Sequence, residues 1–146
     1  MREVISNIWD QYNQGFWIVI PTNGSVNAQG ECVMGKGLAL EAKTKFPKLA
    51  KMLGSWIIAN DNHVYAVVAY KLFSFPVKHE WNQKADIGLI RYSCRELRQH
   101  LLTLAPQVRY PVYLPRVGCG SGKLDWDIVR PVLTEELDDR FVVVSL

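Results

Sequence analysis

Lys78 is the side chain best suited to covalent chemistry, and it lies in an aromatic-rich segment between Phe75 and Trp81. A lysine partly desolvated by such neighbours has its charged form disfavoured, so that its amine can act as a nucleophile. The simpler interpretation is that Lys78 and His79 form a solvated pair on a surface loop. These residues alone leave both interpretations open. If a ligand binds here, Phe75 and Trp81 are the aromatic side chains that we expect to contact it.

Two glycine-rich segments are candidates for an anion site. The first lies between Pro21 and Pro47 and the second covers residues 115–122, and each follows an apolar run and precedes a predicted helix. Glycines allow a ligand to approach the backbone, and the free N–H groups of the first helical turn point toward it. Lys36, in the first turn of the first helix, would favour a bound phosphate. Each segment alone could be an ordinary loop with a helix cap, but two of them at strand ends favour a diphosphate ligand.

The second glycine-rich segment does not match the common nucleotide-binding motifs. Val117 stands where a P-loop has its first glycine, and Leu124 stands where Ser or Thr must bind magnesium. The Gly-x-Gly-x-Gly run also lies far from an opening strand–helix unit, unlike a dinucleotide-binding fingerprint. We therefore expect neither a P-loop NTPase nor a dinucleotide-binding domain.

The sulfur and imidazole side chains predict no metal site and no cofactor. Cys32, Cys94 and Cys119 are an odd number without a Cys-x-x-Cys pair, so we expect free thiols in a reducing, cytoplasmic compartment. For Cys119, a small packing role is favoured over a thiolate stabilised by nearby N–H groups. The three histidines show no metal-ligand spacing.

The length and composition predict one globular domain, residues 1–146, because 49% of the residues are apolar and 21% are charged. No apolar run reaches the ~18 residues of a membrane span, and no signal-peptide pattern follows Met1, so we expect no membrane association. The net charge of +3 and the pI near 8.8 lean weakly toward a nucleic-acid or phosphate ligand.

Apolar runs and helical spacings alternate along the chain. The predicted strands are Arg2–Ile5 and residues 16–20, 56–59, 64–70, 110–114 and 141–144, with 56–59 and 64–70 as a hairpin. The predicted helices are residues 35–47, residues 47–53 ended by Gly54, a long helix capped by Asp86, and a last helix from about Trp126. Residues 10–15 are predicted to be a turn, residues 71–84 to be irregular, and Arg91, Arg95 and Arg98 to be solvated. This alternation predicts an α/β sheet with helices on both faces.

Four separated motifs together resemble the macrodomain family. They are Thr22-Asn23-Gly24, Val33-Met34-Gly35-Lys36-Gly37-Leu38-Ala39-Leu40, Phe75-Pro76-Val77-Lys78-His79-Glu80-Trp81, and the run from Leu114 to Trp126. They are most similar to the branch of DarG-like DNA ADP-ribosyl glycohydrolases and terminal ADP-ribose glycohydrolases. The resemblance implies a three-layer α/β/α macrodomain with a central mixed sheet of about six strands, and an ADP-ribose cleft at the strand ends.

The resemblance also implies the ligand contacts. The first loop, with Val33, Met34, Gly35, Lys36 and Gly37, would lie against the distal ribose and the diphosphate. The second, with Gly118, Cys119, Gly120, Ser121 and Gly122, would bind the phosphates from the other side. Asn7 matches the adenine-binding position, and Ile8, Thr22, Pro115 and Val117 are further expected contacts. Asn23 matches the asparagine at the distal ribose, but Asn27 competes for that role because the loop before Val33 is long.

The implied activity is that of an ADP-ribosyl glycohydrolase without a cofactor. Lys78 matches the catalytic lysine of DarG-like domains, with Asn23 beside it. Gly122 stands where the terminal ADP-ribose glycohydrolases have a catalytic aspartate and where DarG-like sequences have glycine, which favours a DarG-like mechanism. The expected substrate is ADP-ribose on a nucleic-acid base or a protein side chain, the expected partner is a cognate ADP-ribosyltransferase, and the expected state is a monomer. A non-catalytic ADP-ribose reader and an ADP-ribose 1″-phosphate phosphatase stay open as alternatives.

Overall fold

The centre of the protein is one six-stranded mixed sheet. A computed structural model describes the whole chain, residues 1–146. The strands are β1 (Arg2–Ile5), β2 (Ile18–Thr22), β3 (Tyr65–Val67), β4 (Leu72–Pro76), β5 (Val112–Leu114) and β6 (Phe141–Ser145). They lie in the order β1-β6-β5-β2-β4-β3, and only β3 is antiparallel to its neighbour. The parallel strands β2, β4 and β5 therefore end at the same edge of the sheet.

Five helices cover the two faces of this sheet. They are α1 (Ile8–Asn13), α2 (Gly37–Lys45), α3 (Leu49–Asn60), α4 (Ile87–Leu104) and α5 (Trp126–Glu136). Residues of α1, α2 and α3 share one apolar cluster with the sheet, and residues of α4 and α5 share the other. The three-layer α/β/α arrangement with six strands that the sequence predicted is confirmed. No helix is both long enough and apolar enough to cross a membrane.

The central strands of the sheet are buried on both faces, so they lack a polar side. In β2, Val19 belongs to the cluster under α4 and α5, whereas Ile18 and Ile20 belong to the opposite cluster. In β4, Phe73 points to the first cluster and Leu72 to the second. Continuous apolar runs of this kind are typical of central strands in parallel sheets.

Several local predictions were wrong. Residues 10–15 are mostly helical, because Asn7 caps α1 by accepting a hydrogen bond from the Trp9 N–H at 3.0 Å. The segment 71–84, predicted to be irregular, contains the buried strand β4. Residues 64–70 form only the short β3 and then a 3-10 turn, and β3 pairs with β4. Residues 56–59 are not a strand and form no hairpin, because α3 continues through Gly54 to Asn60.

Gly54 lies inside α3 because of a close contact and does not end the helix. A Cβ at this position would lie 2.0 Å from the carbonyl oxygen of Gly30 and 2.9 Å from the backbone nitrogen of Cys32. The contact is reinforced nearby, where the Cys32 N–H donates to the Ala50 carbonyl at 2.8 Å. Helix α3 thereby supports the loop that follows β2.

The arginines of α4 are not simply solvated, because they surround one buried carboxylate of α5. Glu136, with its side chain 9% exposed, accepts hydrogen bonds from Arg91, Arg95 and Arg98 at 3.0 to 3.3 Å. Hydrogen bonds from Arg95, and then from Arg91, hold the pKa of Glu136 below its ordinary value, although burial acts in the opposite direction. This cluster fixes α5 against α4, and α4 follows the Lys78 segment.

Replacing Gly54 with alanine should destabilise the protein, although Gly→Ala inside a helix ordinarily stabilises it by ~1 kcal/mol. The added Cβ would overlap the Gly30 carbonyl, so we expect a net loss of about 1–3 kcal/mol in the free energy of unfolding. Urea unfolding measures it. Ser55→Ala, on the exposed side of the same helix, is the control and should change stability by less than about 0.5 kcal/mol. An unchanged Gly54→Ala would contradict the packing described here.

Replacing Glu136 with glutamine should cost about 1–2 kcal/mol of stability at pH 7, less than for a fully buried pair, because the arginines are partly exposed. Because the folded-state pKa is lowered, the carboxylate stabilises the fold above its ordinary pKa near 4.5, and this contribution disappears as the pH falls through the lowered value. The difference between wild type and Glu136→Gln should therefore shrink below pH 4.5. Denaturant unfolding across this range measures it, with Glu135→Gln as a nearly neutral exposed control. A pH-independent difference would contradict the ion-pair explanation.

Candidate active site

A cleft of about 880 Å³ lies at the edge of the sheet where β2, β4 and β5 end. Its walls come from the end of β2, the segment that leads into α2, the segment between β4 and α4, and the loop between β5 and α5. These are the four segments that carry the four sequence motifs. The topology alone explains their convergence, because parallel neighbouring strands place their carboxyl ends together.

One wall of the cleft is the N-terminus of α2. Lys36 occupies the N-cap position without a side-chain cap, so no protein side chain binds the first-turn N–H groups of Gly37, Leu38 and Ala39. A Cβ added at Gly35 would meet no atom within 4 Å, although Gly35 lines the cleft. Free N–H groups with open space in front of them are what an anion site at a helix N-terminus requires, so the geometry is compatible with the site predicted for this helix.

The opposite wall is the loop between β5 and α5. Its turn is closed internally, because the Lys123 N–H donates to the Gly120 carbonyl and the Leu124 N–H to the Gly118 carbonyl, both at 3.0 Å. A further bond from the Ala85 N–H to the Gly122 carbonyl at 3.0 Å joins this loop to the start of α4. The loop is therefore fixed relative to the segment that carries Lys78.

Lys78 lies on the floor of the cleft, with only 9% of the residue exposed. Its Nζ donates to the Trp81 carbonyl at 3.3 Å, and it forms no ion pair with a carboxylate. Burial, and then the charges of Lys36 and Lys123, lower the pKa of Lys78. The Asn62 Nδ2 donates to the Lys78 carbonyl at 3.0 Å, which holds the backbone in place. Such surroundings make the neutral amine more accessible than it is in a solvated lysine.

Asn23 is the asparagine that lines the cleft. Its Nδ2 donates to the Val33 carbonyl at 3.0 Å, and its Oδ1 accepts from the Ser25 N–H at 2.9 Å. Asn27 lies outside the cleft and is exposed. Its Oδ1 instead closes a turn by accepting from the N–H groups of Gln29 and Glu31, both at 3.0 Å. The structure therefore places only one of the two candidates beside Lys78.

A second cavity of about 290 Å³ adjoins the cleft. Asn7 and Ile8 line it, and Leu38, Pro115 and Arg116 line both spaces. The side chain of Asn7 caps α1, which fixes its position at the rim. The two spaces together form one elongated site with the N-terminus of α2 at its middle.

The structure brings most of the predicted site residues together. The predicted residues that line the cleft are Thr22, Asn23, Val33, Met34, Gly35, Lys36, Gly37, Lys78, Pro115, Gly118, Gly120, Ser121 and Gly122. Val117 is buried in the core, and Cys119 is half-buried against the same apolar cluster, where burial raises the pKa of its thiol. Phe75 is fully buried, so the expectation that it contacts a ligand was wrong. Trp81 does line the cleft and is 59% exposed.

The positive charge of the cleft was not predicted from the sequence. Five cationic side chains line it, namely Lys36, Lys78, Lys84, Arg116 and Lys123, and no Asp or Glu does. Arg116 and Lys123 lie within the fourth motif and Lys84 lies three residues after the third, so the excess of positive charge in and beside the motifs was the available signal. A concave site lined by one sign of charge attracts ligands of the opposite sign. No group of three or more His, Cys, Asp or Glu side chains is placed to hold a metal ion.

Comparison with known proteins gives a consistent result. No protein-family model matches the chain. It is 29% identical over 124 residues to a DNA ADP-ribosyl glycohydrolase of Thermus aquaticus, in an alignment that covers 78% of this chain and 33% of the relative. The chain thus spans about a third of the length of that curated relative.

Solved structures show the same fold. The macrodomain of Thermus aquaticus DarG superimposes with a TM-score of 0.74 at 25% identity, covering 99% of this chain and 97% of the other. The macrodomain of Mycobacterium tuberculosis DarG gives 0.70 at 22% identity, covering 88% of each chain. Thermosipho africanus DarTG in complex with ADP-ribose gives 0.69 at 22% identity, covering 88% of this chain and 37% of the other. The resemblance seen in the four sequence motifs is therefore supported: the chain has the macrodomain fold and is similar in sequence and structure to DarG proteins.

Proposed function

We propose that this macrodomain binds ADP-ribose and hydrolyses its bond to a nucleic-acid base. The observation that carries the proposal is Lys78, a buried amine without a counter-charge on the floor of a cleft between two anion-binding loops. The relatives support it, since one is named a DNA ADP-ribosyl glycohydrolase and another was solved in complex with ADP-ribose.

The diphosphate would lie between the N-terminus of α2 and the loop between β5 and α5. Backbone N–H groups and a helix dipole favour negative charge there without a metal ion. At both Gly35 and Gly120 a Cβ would meet nothing in the free protein, and neither has a positive φ. Nothing in the free protein thus requires glycine at these two positions. A ligand that approaches the backbone closely would require it.

The two ends of the site suit the two ends of ADP-ribose. The adenine would occupy the second cavity, beside Asn7 and Ile8. The distal ribose would lie on the other side of the diphosphate, between Asn23 and Lys78. Asn23 can bond a ribose hydroxyl because an amide provides two donor hydrogens and two acceptor lone pairs, and only one of each is used within the protein.

Lys78 would act as a nucleophile at the anomeric carbon of the distal ribose. Its neutral Nζ forms a bond to that carbon while the bond from the carbon to the base breaks. The electron pair leaves with the base, which takes up a proton. Water then displaces the lysine, and the products are free ADP-ribose, the unmodified base and the regenerated amine. The lowered pKa of Lys78 supports this role, because it raises the fraction of neutral amine at a given pH.

The surroundings of the cleft favour a nucleic-acid conjugate over a protein side chain. The exposed ring of Trp81 lines the cleft together with Lys84 and Lys123. Exposed aromatic rings stack on bases, and neighbouring cations bind the phosphates that link them.

Lys78→Ala and Lys78→Arg should both lower the release of ADP-ribose by roughly 10²–10⁴-fold, the range typical of one catalytic side chain. Arginine keeps the charge but stays protonated and cannot attack. Calorimetric titration should show ADP-ribose binding in both variants, because the loops hold the diphosphate. The substrate is an ADP-ribosylated single-stranded oligonucleotide. An active Lys78→Arg would show that the lysine serves as a charge instead.

Binding without turnover by the wild type would indicate a reader, and phosphate release from ADP-ribose 1″-phosphate would indicate a phosphatase.

The turnover rate of the wild type should rise with pH and level off above the pKa of Lys78. Because burial and the charges of Lys36 and Lys123 lower this pKa, the midpoint should fall below the ordinary lysine value of 10.5. Neutralising one of these charges, in Lys123→Gln, should move the midpoint upward. Steady-state rates across the pH range measure it. A rate that falls with pH would mean that the ammonium is the active form.

Trp81→Ala should weaken binding of the ADP-ribosylated oligonucleotide by about 5–150-fold, the equivalent of losing ~1–3 kcal/mol of stacking. Binding of free ADP-ribose should change by less than about twofold, because the ring lies at the mouth of the cleft. The Kd values are measured by fluorescence anisotropy and calorimetry. Tyr92→Ala, which removes an exposed ring from α4 outside the cleft, is the matched control. Equal weakening of both ligands by Trp81→Ala would contradict base stacking.

A further inference from the structure

Ser25 does not line the cleft, yet it contacts both arms of the site. Its N–H donates to the Asn23 Oδ1 at 2.9 Å, and its carbonyl accepts from the Val33 N–H at 3.0 Å. Its Oγ accepts from the N–H of Trp81 at 2.9 Å, across 56 positions of sequence. One small residue therefore joins the loop after β2 to the segment after β4.

The bond to Trp81 continues toward the reactive amine. The Trp81 carbonyl accepts from the Lys78 Nζ at 3.3 Å, so the peptide groups of Trp81 connect the Ser25 hydroxyl to Lys78. Residues 80–84 otherwise bond only among themselves or to Lys78. The Ser25–Trp81 bond is thus the one hydrogen bond that ties this exposed segment to a different part of the chain.

We propose that Ser25 is a positioning residue that sets the Lys78 amine and the Asn23 amide in one fixed arrangement around the anomeric carbon. The Ser25 hydroxyl holds the Trp81 carbonyl where the lysine can reach it, and the Ser25 N–H orients the Asn23 carboxamide. This inference rests on the proposed function. The inference adds to the proposed mechanism a residue that neither touches the ligand nor carries charge.

Loss of the hydroxyl should affect the reaction more than the binding of the ligand. In Ser25→Ala the Trp81 N–H loses its acceptor and the lysine loses its fixed partner, so kcat for the ADP-ribosylated oligonucleotide should fall about tenfold, since small misplacements of reacting groups are costly. The Kd for free ADP-ribose should stay within about twofold, because the diphosphate loops are untouched. Ser25→Thr keeps the hydroxyl and should restore kcat. Ser55→Ala removes a hydroxyl on the exposed side of α3 and should change neither quantity.

Amide hydrogen exchange tests the contact itself, independently of turnover. Exchange of the Trp81 N–H, followed by NMR, should speed up about tenfold in Ser25→Ala and return to the wild-type rate in Ser25→Thr. In the Lys78→Ala background, Ser25→Ala should cause no further loss of kcat, because the positioned group is already absent. If Ser25→Ala only disturbed the structure, it would lower kcat further in the Lys78→Ala background.

The outcomes separate this inference from the proposed function. An unchanged Trp81 exchange rate in Ser25→Ala would overturn the inference, and so would a Kd for ADP-ribose that rises in step with the loss of kcat. Failure of Ser25→Thr to restore kcat would also overturn it. If the wild type released no ADP-ribose from the oligonucleotide, the proposed function would fail. The exchange rates would then decide whether the contact exists.

Discussion

The arrangement of the site depends on burying the Lys78 ammonium without a carboxylate to pair with it. Moving an ammonium out of water is costly, and here the nearest charges, those of Lys36 and Lys123, have the same sign. One hydrogen bond to the Trp81 carbonyl offsets part of this cost. The fold tolerates the remainder because the backbone on either side is anchored, by β4 before the lysine and by α4 after it. Such a site would gain most from an anionic ligand, since none of the cleft's cations forms an ion pair and no side chain binds the first-turn N–H groups of α2.

The sheet sets the distance between the two groups that would meet the distal ribose. Thr22 and Pro76 are register partners at the ends of the parallel strands β2 and β4, and the Val77 N–H extends the pairing by donating to the Thr22 carbonyl at 2.9 Å. Asn23 follows Thr22 by one residue, and Lys78 follows Pro76 by two. The hydrogen bonding between these two central strands therefore sets the positions of Asn23 and Lys78, and central strands are the stiffest elements of the fold.

Local signals in the sequence predicted those parts of the fold that depend on local physics. The spacing of Ile90, Cys94 and Leu97 predicted α4, and Asp86 was confirmed as its cap. Strand β4 was missed because Ser74 and Pro76 interrupt its short apolar run, and a proline argues against a central strand. Helix α3 was cut short at Gly54 because glycine usually marks a helix end, whereas here the contact with Gly30 requires it.

The sequence predicted the site residues that lie within motifs, but not those brought in by tertiary contacts. Lys78 and the glycine loops lie in contiguous stretches and could be found there. Lys84 lies outside the motifs, and its arrival at the cleft depends on the strand order. The role of Glu136 had no sequence signal either, because its arginine partners lie about 40 residues away on another helix.

The long loop between Asn23 and Val33 shows why loop length is a poor guide to site geometry. Ten positions separate the two residues, yet the Asn23 Nδ2 bonds directly to the Val33 carbonyl at 3.0 Å. The residues between them fold as a small hairpin, with Val26 paired to Cys32 and a turn closed by Asn27. The ends of the loop are thus fixed by their own contacts, and none of the residues 24–32 lines the cleft. The entropic cost of closing a loop increases only slowly with its length. Residues can therefore be added to this loop without changing the position of Asn23 relative to Lys78. Asn27, which was the alternative candidate for the ribose contact, instead closes the turn of this hairpin.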